Sequence, residues 1–301
     1  MAFAWESVVT AKDDGRLLRD VLRGTLGISQ RLLHALKFQG TISVNETQVT
    51  VRARVRTGDR IALFLPEATD EQRVVPQDLP LSLVYEDADL LVLNKPVGMI
   101  VHPVPPEPYG TLANAIAWYW QQQGLSAPVR VVTRLDRDTS GLVLVAKNAL
   151  AQHFYSSAPG AITKRYLALI QGHPGAAGGV IDAPIGVNPE NPATRRVDAG
   201  GKPAQTAWSL LETHCTYSLI QVELLTGRTH QIRVHFAHTG HPLLGDEQYG
   251  GDCRLISRQA LHCHRLQLRH VRSDADLLLE APVPEDMKKL CASSAREPVQ
   301  R

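Results

Sequence analysis

Apolar positions in the first part of the chain follow a helical period and then an alternating one. Between residues 16 and 23 the leucines and valine recur at helical spacing and the arginines fall outside that stripe, which predicts an amphipathic helix. A second helix is predicted to begin after Ser29, a good N-cap, and to end before Gly40. Residues 41–55 then alternate as a short hairpin does, and residues 60–66 form an apolar strand candidate. The pattern predicts two helices packed on a small sheet.

The longer second part of the chain is richer in strand patterns than in helix patterns. Its strand candidates read "LSLVY", "LLVLN", "GLVLVAK", "RYLALIQG", "TAWSLLE" and "YSLIQVELL". Helices are predicted at 111–122 and around 229–239. Because the strands do not alternate strictly with helices, the pattern favours an α+β fold over a doubly wound one, with a central mixed, mainly antiparallel sheet flanked by helices and loops. The predicted division is a small α/β module over 1–66, an acidic, proline-bearing linker over 67–80 and a main domain over 81–301.

Charge is distributed unevenly along the chain. The 301 residues carry a net charge of +2, yet residues 1–66 hold ten Lys or Arg against six Asp or Glu. A compact basic module predicts contact with a polyanion, because neutralised phosphates supply affinity that does not depend on sequence. A merely solvated basic face is the alternative.

Cysteine usage and hydropathy limit the environment of the protein. The four cysteines show no CxxC spacing, and a chain of this length does not need disulfides, so free thiols in a reducing compartment are predicted. No apolar run approaches the roughly 20 residues that span a bilayer, and the first residues lack the features of a signal peptide. The sequence therefore predicts a cytoplasmic protein without a membrane partner.

Two carboxylates, Asp136 and Asp138, lie in the polar stretch "TRLDRDTSG" between two apolar strand candidates. Loops carried by a rigid sheet commonly hold catalytic groups. From the composition of the loop alone, the alternative is that a carboxylate caps a turn. In that case Thr139 and Ser140 supply local hydrogen bonds and Gly141 supplies backbone freedom.

A second polar cluster, "LLTGRTHQIRVHFAHTGHPLLGDEQYG", follows the last of these strand candidates. Thr229 is predicted to cap a helix that carries His230 and Arg233 three apart on one face and that ends at Gly240. With Arg228, these side chains would present hydrogen-bond donors together toward an anionic partner.

Several cofactor and hydrolase patterns are absent from the sequence. His235, His238 and His241 are spaced by three, and His262 and His264 follow, but a glycine breaks the helix and neither HExxH nor paired CxxC occurs, so no metal site is predicted. No GxGxxG, phosphate loop or GxSxG turn is present. The tetrapeptide "DTSG" differs from the aspartic protease loop, which has glycine directly after the hydroxyl residue and requires a second copy.

Four segments, "NKPVGMIVHP", "TRLDRDTSGLVLVAKN", "KRYLALIQG" and "GRTHQIRVHF", together resemble the RluA-type pseudouridine synthases, in order from about residue 82 to 272. Residues 15–64 separately resemble the small RNA-binding module first known from a ribosomal small-subunit protein, which often precedes the catalytic domain in this family. The resemblance implies isomerisation of uridine to pseudouridine in RNA, by a monomer that needs no metal, organic cofactor or obligate protein partner. Large-subunit ribosomal RNA is the predicted substrate and transfer RNA the alternative.

The family pattern implies roles for individual residues. Asp136 matches the catalytic aspartate, Tyr166 the active-site tyrosine, and Arg233 the basic residue that pairs with the aspartate. Arg134 matches the arginine next to the target nucleotide, where it would occupy or prop the gap left by a flipped base. Position 133 is Thr where many members have His, a departure that bears on base extrusion or substrate choice.

The remaining predicted contacts are with RNA rather than with the reacting atoms. The RNA-binding candidates are Arg134, Arg228 and His230 in the main domain and Arg16, Arg19, Arg31 and Lys37 in the small module. Two hypotheses from other classes stand beside the synthase. One is a non-catalytic RNA-binding protein with the same fold, and the other is a glycosidase that cleaves the same bond without rejoining the base.

Overall fold

A computed structural model describes residues 3–28, 30–65, 74–104, 107–125, 127–157, 160–272 and 275–293. The strands are β1 (Phe3–Val8), β2 (Thr41–Val44), β3 (Thr47–Gln48), β4 (Arg60–Leu65), β5 (Leu83–Glu86), β6 (Leu90–Lys95), β7 (Arg130–Val131), β8 (Ser140–Ala146), β9 (Ile162–Gln171), β10 (Gly178–Asp182), β11 (Ile185–Val187), β12 (Arg195–Val197), β13 (Gln205–Thr213), β14 (Tyr217–Leu224), β15 (Leu261–Arg269) and β16 (Asp276–Glu280). The α-helices are α1 (Leu18–Asp20), α2 (Gln30–Gln39), α3 (Leu112–Gln122), α4 (Ala149–Ser157), α5 (Gln231–His238) and α6 (Glu285–Ser293). Among these helices, none combines the length and the apolar character that crossing a bilayer requires.

The first part of the chain forms a small antiparallel sheet with the strand order β1-β4-β2-β3. Leu18, Leu22, Leu36 and Ile61 are almost fully buried in its core, so the helices cover the sheet as the apolar stripes predict. The first helix is not uniform, because α1 continues as a π-helical turn over Val21–Thr25. The predicted cap of α2, Ser29, lies outside the described residues, and β1 was not predicted.

The second part of the chain forms a larger sheet with the strand order β10-β13-β14-β9-β15-β8-β6-β5, to which β16 and β7 add by pairing with β15 and β8. The pairing of β15 with β8 is parallel, and the other pairings in this sheet are antiparallel. The predicted α+β fold with a mixed, mainly antiparallel sheet is therefore confirmed. Each strand candidate of the main domain corresponds to an observed strand, whereas β10, β11, β12, β15 and β16 were not predicted.

The centre of the larger sheet is buried on both faces. All seven residues of β8 are buried, which explains its uninterrupted apolar sequence. Its side chains alternate between two cores, because Val143 and Val145 pack with α3 while Leu142 and Leu144 pack in the core that contains Ala151 of α4. Helices on both faces thus hold β8 in place, and the polar stretch that precedes it is attached to a fixed strand.

The small module packs against the second part of the chain through α4 and the turn after β15. Leu150 of α4 is buried in the core of the module, and Val271 packs against both cores. Next to this contact, the guanidinium of Arg272 binds the buried carboxylate of Asp89, with one bond of 2.8 Å. The first half of the predicted linker, residues 67–73, lies outside the described residues, and the predicted domain boundaries stay predictions.

The parallel contact between β8 and β15 requires glycine at position 141. Gly141 has a φ of +114°, a conformation that L-residues rarely adopt, and it lies opposite Cys263. A Cβ atom at Gly141 would come within 2.6 Å of the Cys263 backbone nitrogen and would also collide with its carbonyl group. The close approach of the two backbones therefore fixes the strand end that follows the polar stretch.

We expect Gly141→Ala to lower the free energy of unfolding by more than about 3 kcal/mol, the upper end for strain at one backbone position. The reason is that the substitution adds a collision between two backbones to an unfavourable φ. Gly124→Ala is the matched control, because Gly124 also has a positive φ but no atom within 4 Å of the added Cβ. Urea unfolding of both variants measures the difference, and equal losses would contradict a close approach at Gly141.

Candidate active site

The polar stretch between β7 and β8 forms a tight turn that presents Asp136. The Thr139 amide donates to the Asp136 carbonyl oxygen at 3.2 Å, and the Asp136 side chain is 29% exposed. The two hydroxyl residues that follow bind the segment leading into β15. Gln259 Nε2 donates to Thr139 Oγ1 at 3.2 Å, and Ser140 Oγ is 2.9 Å from His262 Nδ1. Thr139 and Ser140 thus connect the turn to a neighbouring strand rather than only to itself.

Lys95, at the end of β6, fixes the same turn from the other side. Its side chain is fully buried, and its ammonium donates three hydrogen bonds of 2.7–2.8 Å. The acceptors are the carbonyl oxygens of Pro96, Met99 and Arg137. Burial lowers the pKa of Lys95 to about 7, and the carboxylates of Asp138 and Asp136 oppose this shift. The lysine of "NKPVGMIVHP" therefore joins the segment after β6 to the turn that carries Asp136.

A buried arginine connects Asp136 to a second carboxylate. Arg233 NH1 donates to Asp136 Oδ2 at 3.1 Å, while its Nε and NH2 donate to Asp246 at 2.7 and 2.8 Å. Gln248 Oε1 accepts from the same NH2 at 2.9 Å. Burial alone would lower the pKa of Arg233, but the hydrogen bonds and charges of Asp246 and Asp136 raise it. The guanidinium is therefore permanently charged and held mainly by Asp246, with one donor left for Asp136.

The start of α5 differs from the sequence prediction. Thr229 does not cap the helix, because the N-cap is His230, which has a left-handed φ of +57°. The N-cap makes no side-chain hydrogen bond, and Gln231, the first residue of α5, binds the preceding loop and β13: its Oε1 accepts from the Arg228 amide at 2.9 Å and its Nε2 donates to the Gln205 carbonyl oxygen at 2.9 Å. The predicted cap was wrong because the left-handed residue His230 stands between Thr229 and the first residue of the helix. The helix ends before Gly240, as predicted.

The geometry of this helix start brings His230 toward the carboxylate. Nε2 of His230 lies 3.9 Å from Asp136 Oδ2, and Nδ1 lies 2.8 Å from the hydroxyl of Tyr249. Burial lowers the pKa of His230, and Asp136 opposes this shift. Tyr249 also lies beneath Arg233, whose guanidinium carbon is 4.8 Å from the ring centroid. His230 and Arg233 are therefore both adjacent to Asp136, although His230 precedes the helix.

Tyr166, in the middle of β9, is buried and lines the same cleft as Asp136. It is paired directly with Cys263 on the neighbouring strand β15. Burial is the main cause that raises the pKa of Tyr166 well above its ordinary value, and the charge of Asp136 adds to it. The phenol is therefore protonated throughout the physiological pH range.

These side chains surround one cleft of about 520 Å³. Its polar lining residues include Arg134, Asp136, Lys164, Arg228, His230 and Arg233. A volume of this size is within the range of pockets that enclose a small organic ligand. The structure thus brings together all three predicted catalytic residues and the three predicted RNA contacts of the main domain.

The predicted RNA contacts of the main domain differ in whether they also bind other groups of the protein. Arg134 is exposed at the cleft, and Arg228 is exposed while its Nε donates to the Pro203 carbonyl oxygen. Thr133, at the position of the family's histidine, is buried, and its hydroxyl accepts from the Leu144 amide at 2.9 Å. Thr133 therefore stabilises the pairing next to β8.

The predicted contacts of the small module do not line the cleft. Arg16 binds the buried carboxylate of Asp13 at 2.6 Å, whereas Arg19 is half exposed and 3.3 Å from Asp20. Lys37 is exposed on α2. The side chain of Arg31 lies outside the described residues.

Two of the histidines considered as metal ligands bind protein groups. His235 binds Thr206 and the Ala183 carbonyl oxygen, and Nδ1 of His241 binds the Gln171 carbonyl oxygen. In the described part of the chain, the carboxylates and imidazole that come close enough to share a metal ion are those of Asp87, Asp89 and His270. These three lie by the Arg272 salt bridge at the base of the small module, not in the cleft.

Sequence reasoning missed Asp246, Lys95, Tyr249 and Arg258. Arg258 binds Asp286 of α6 through two donors and reaches the Asp138 carbonyl oxygen at 3.4 Å through a third. The signal available for Asp246 was indirect, because an arginine within an apolar helix pattern requires a buried counter-ion somewhere in the fold. The positions of the other three depend on contacts between distant segments.

Comparison with known proteins gives the class of this site. A family model described as RNA pseudouridylate synthase matches residues 89–238. An uncharacterized RNA pseudouridine synthase of Bacillus subtilis (strain 168), YhcT, is 39% identical over 290 residues, covering 95% of this chain and 96% of that protein. Ribosomal large subunit pseudouridine synthase D of Escherichia coli (strain K12) is 39% identical over 255 residues, covering 79% of this chain and 78% of that protein.

A solved structure agrees with this relationship. Human RNA Pseudouridylate Synthase Domain Containing 1 has a TM-score of 0.56 and 25% identity, and the match covers 74% of this chain and 97% of that one. The chain belongs to the RluA-type family of RNA pseudouridine synthases. It is therefore an isomerase that acts on RNA.

We expect Asp246→Asn to lower the free energy of unfolding by about 3–5 kcal/mol, because it leaves the buried guanidinium of Arg233 without its main counter-ion. Gln248→Ala is the matched control. It removes a neutral acceptor from the same guanidinium on an exposed side chain, and we expect a loss below about 1 kcal/mol. Chemical denaturation of both proteins at pH 7 measures the two losses. Equal losses would show that Asp246 does not hold the arginine.

Proposed function

We propose that this enzyme converts specific uridines of large-subunit ribosomal RNA to pseudouridine, with Asp136 as the reactive carboxylate. The observation that carries the proposal is the position of Asp136 in the cleft, within 3.1 Å of a buried arginine and on the same lining as Tyr166. The support for the ribosomal substrate is the relative from Escherichia coli whose name specifies the large ribosomal subunit.

The reaction requires the target base to leave the RNA stack. A uridine inside a helix does not present its glycosidic bond to a carboxylate, so the nucleotide must flip into the cleft. Arg134 is exposed beside the cleft and precedes Asp136 by two residues. Its guanidinium is therefore placed to occupy the space that the base vacates and to contact neighbouring phosphates.

Within the cleft, the bond between the ribose C1′ and uracil N1 breaks, the base turns, and C1′ bonds to C5. The C5 proton leaves and N1 gains a proton, so the product is an isomer of the substrate. Asp136 acts either as a nucleophile toward the sugar or base, or as the base that removes a sugar proton. Both routes need the ionised carboxylate, and Arg233 supplies a fixed positive charge at hydrogen-bond distance from it.

The buried environment of Tyr166 limits the chemical roles that its phenol can have. Because its pKa is raised well above the ordinary value, the phenol does not supply a phenolate base at neutral pH. Its buried ring at the cleft wall instead offers an aromatic surface on which uracil can stack. We assign Tyr166 to holding the base while it turns.

The small basic module supplies affinity rather than chemistry. Its exposed Lys37 lies outside the cleft lining, and the module carries an excess of positive charge over residues 1–66. Phosphate contacts add affinity independent of sequence, which suits a long structured RNA. Arg16 contributes less to such contacts than its charge suggests, because Asp13 already binds it.

We expect Asp136→Asn to reduce single-turnover pseudouridine formation by at least about 100-fold, because an amide neither attacks carbon nor accepts a proton at neutral pH. RNA affinity and unfolding free energy should change little, since the amide keeps the size of the carboxylate. Asp138→Asn is the matched control in the same turn and should retain most activity. The assay is tritium release from C5 of labelled uridine, with filter binding in parallel.

The outcomes of this experiment separate the hypotheses. Near-normal release from Asp136→Asn would overturn the assignment of the catalytic carboxylate. Strong loss from Asp138→Asn alone would move the role to Asp138. Free uracil in the product would identify a glycosidase.

We expect the modified positions to lie in large-subunit ribosomal RNA when pseudouridines in total RNA of a deletion strain are mapped against the parent. Restoration by the wild-type gene and not by the Asp136→Asn gene is the control, because it ties the lost modification to catalysis. Loss of pseudouridine from transfer RNA alone would contradict the ribosomal substrate. An unchanged map would point to a protein that binds RNA without modifying it.

A further inference from the structure

The hydroxyl of Tyr249 has two hydrogen-bond partners, which together indicate the direction in which its O–H donates. The Arg195 amide donates to it at 2.9 Å, and Nδ1 of His230 lies 2.8 Å from it. Since the Arg195 nitrogen is necessarily the donor, the phenolic oxygen already accepts one bond. Its own O–H is then available for Nδ1 of His230.

The other side of the His230 ring gives an independent reason for the same assignment. Nε2 lies 3.9 Å from Asp136 Oδ2. If Nδ1 carried the ring proton, a bare nitrogen lone pair would face a carboxylate oxygen, and the Tyr249 oxygen would have to accept two N–H groups. With the proton on Nε2, each group is paired with its complement.

The backbone at His230 adopts an unfavourable conformation. Its φ of +57° is left-handed, and for a residue other than glycine this is uncommon and clusters at functional sites. The Tyr249 ring lies against the imidazole, edge to face at a centroid distance of 5.7 Å. The same ring supports Arg233 at 4.8 Å.

We propose that Tyr249 is a positioning residue, whose hydroxyl donates to Nδ1 of His230 and thereby keeps the ring proton on Nε2, facing Asp136. A neutral N–H then faces the carboxylate from 3.9 Å, beyond hydrogen-bond distance, in addition to the charged donor of Arg233 at 3.1 Å. Burial lowers the pKa of His230, which agrees with a neutral ring at pH 7. The functional part of this inference rests on the proposed role of Asp136.

The direct test reads the tautomer of His230 in the free protein. Long-range ¹H–¹⁵N correlation spectra at pH 7.5 should show an unprotonated Nδ1 and a protonated Nε2 in the wild type. In Tyr249→Phe, which keeps the ring under Arg233 but lacks the donor, Nδ1 should become partly protonated. The signal is assigned by its absence from His230→Gln.

Tyr217→Phe is the matched control for loss of a tyrosine hydroxyl. Tyr217 is also largely buried, and its hydroxyl donates to the Leu290 carbonyl oxygen at 2.9 Å, away from the cleft. This variant should leave the His230 tautomer unchanged. A wild-type ring protonated on Nδ1, or a tautomer that does not respond to Tyr249→Phe, would overturn the proposal.

The effect on turnover is tested by a double-mutant cycle between Tyr249 and His230. Tyr249→Phe should slow single-turnover pseudouridine formation by about 10-fold or more, with RNA affinity within about twofold. In the His230→Gln background the same substitution should have no further effect, because its target is gone. An undiminished effect in that background would mean that Tyr249 acts through Arg233 or the fold and would overturn the proposal.

Failure of the proposed role of Asp136 is distinguishable from failure of this inference. The tautomer spectra need neither RNA nor turnover, so they decide the hydrogen-bond direction even if Asp136→Asn remains active. Conversely, the wild-type spectra could show no preference for Nε2 while Asp136→Asn is inactive. Asp136 would then keep its proposed role, and only the role of Tyr249 would be overturned.

Discussion

A buried guanidinium shared by two carboxylates is the interaction on which the site depends. Arg233 is almost fully buried, and a charge in that position is stable only with paired counter-ions. Asp246 satisfies this requirement through two donors, which leaves the third donor directed at Asp136. Because the guanidinium is held by Asp246, it keeps its orientation whether or not Asp136 changes its bonding. The positive charge at Asp136 is thus supplied by the fold and does not have to be rearranged during reaction.

The turn that carries Asp136 is held by hydrogen bonds from two sides. Lys95 fixes its Arg137 carbonyl oxygen, and Thr139 and Ser140 connect it to the segment at the start of β15. A carboxylate that must reach one carbon of a flipped nucleotide gains from such fixed geometry, because small displacements of reacting groups have large effects on rate. The close contact at Gly141 serves the same purpose, since it leaves no room for the strand end to shift.

Sequence patterns predicted the helices and strands whose burial gives the sequence a regular spacing of apolar residues. Strand β8 and helix α3 were both predicted near their observed bounds. The features that were not predicted depend on contacts between distant segments. Strand β1 contains Glu6 and Ser7 and is recognisable only from its pairing with β4, and the start of α5 is bound to a distant strand, because the Gln231 side chain donates to Gln205, 26 residues earlier. The resemblance supplied Asp136 and Arg233, but Asp246 and Tyr249 became visible only when the fold placed them around that pair.

The positive charges of the protein divide into two groups with different physical behaviour. Arg233 is buried and paired, so dissolved salt screens its interaction with Asp136 only weakly. Arg134 and Lys37 are exposed, and contacts of such residues with phosphates weaken steeply as counterions compete. Under the proposed function, catalysis and RNA binding therefore use separate sets of cations. Because the two sets are separate, exposed arginines and lysines can differ from one RNA-binding surface to another without disturbing the buried guanidinium that is bonded to Asp136.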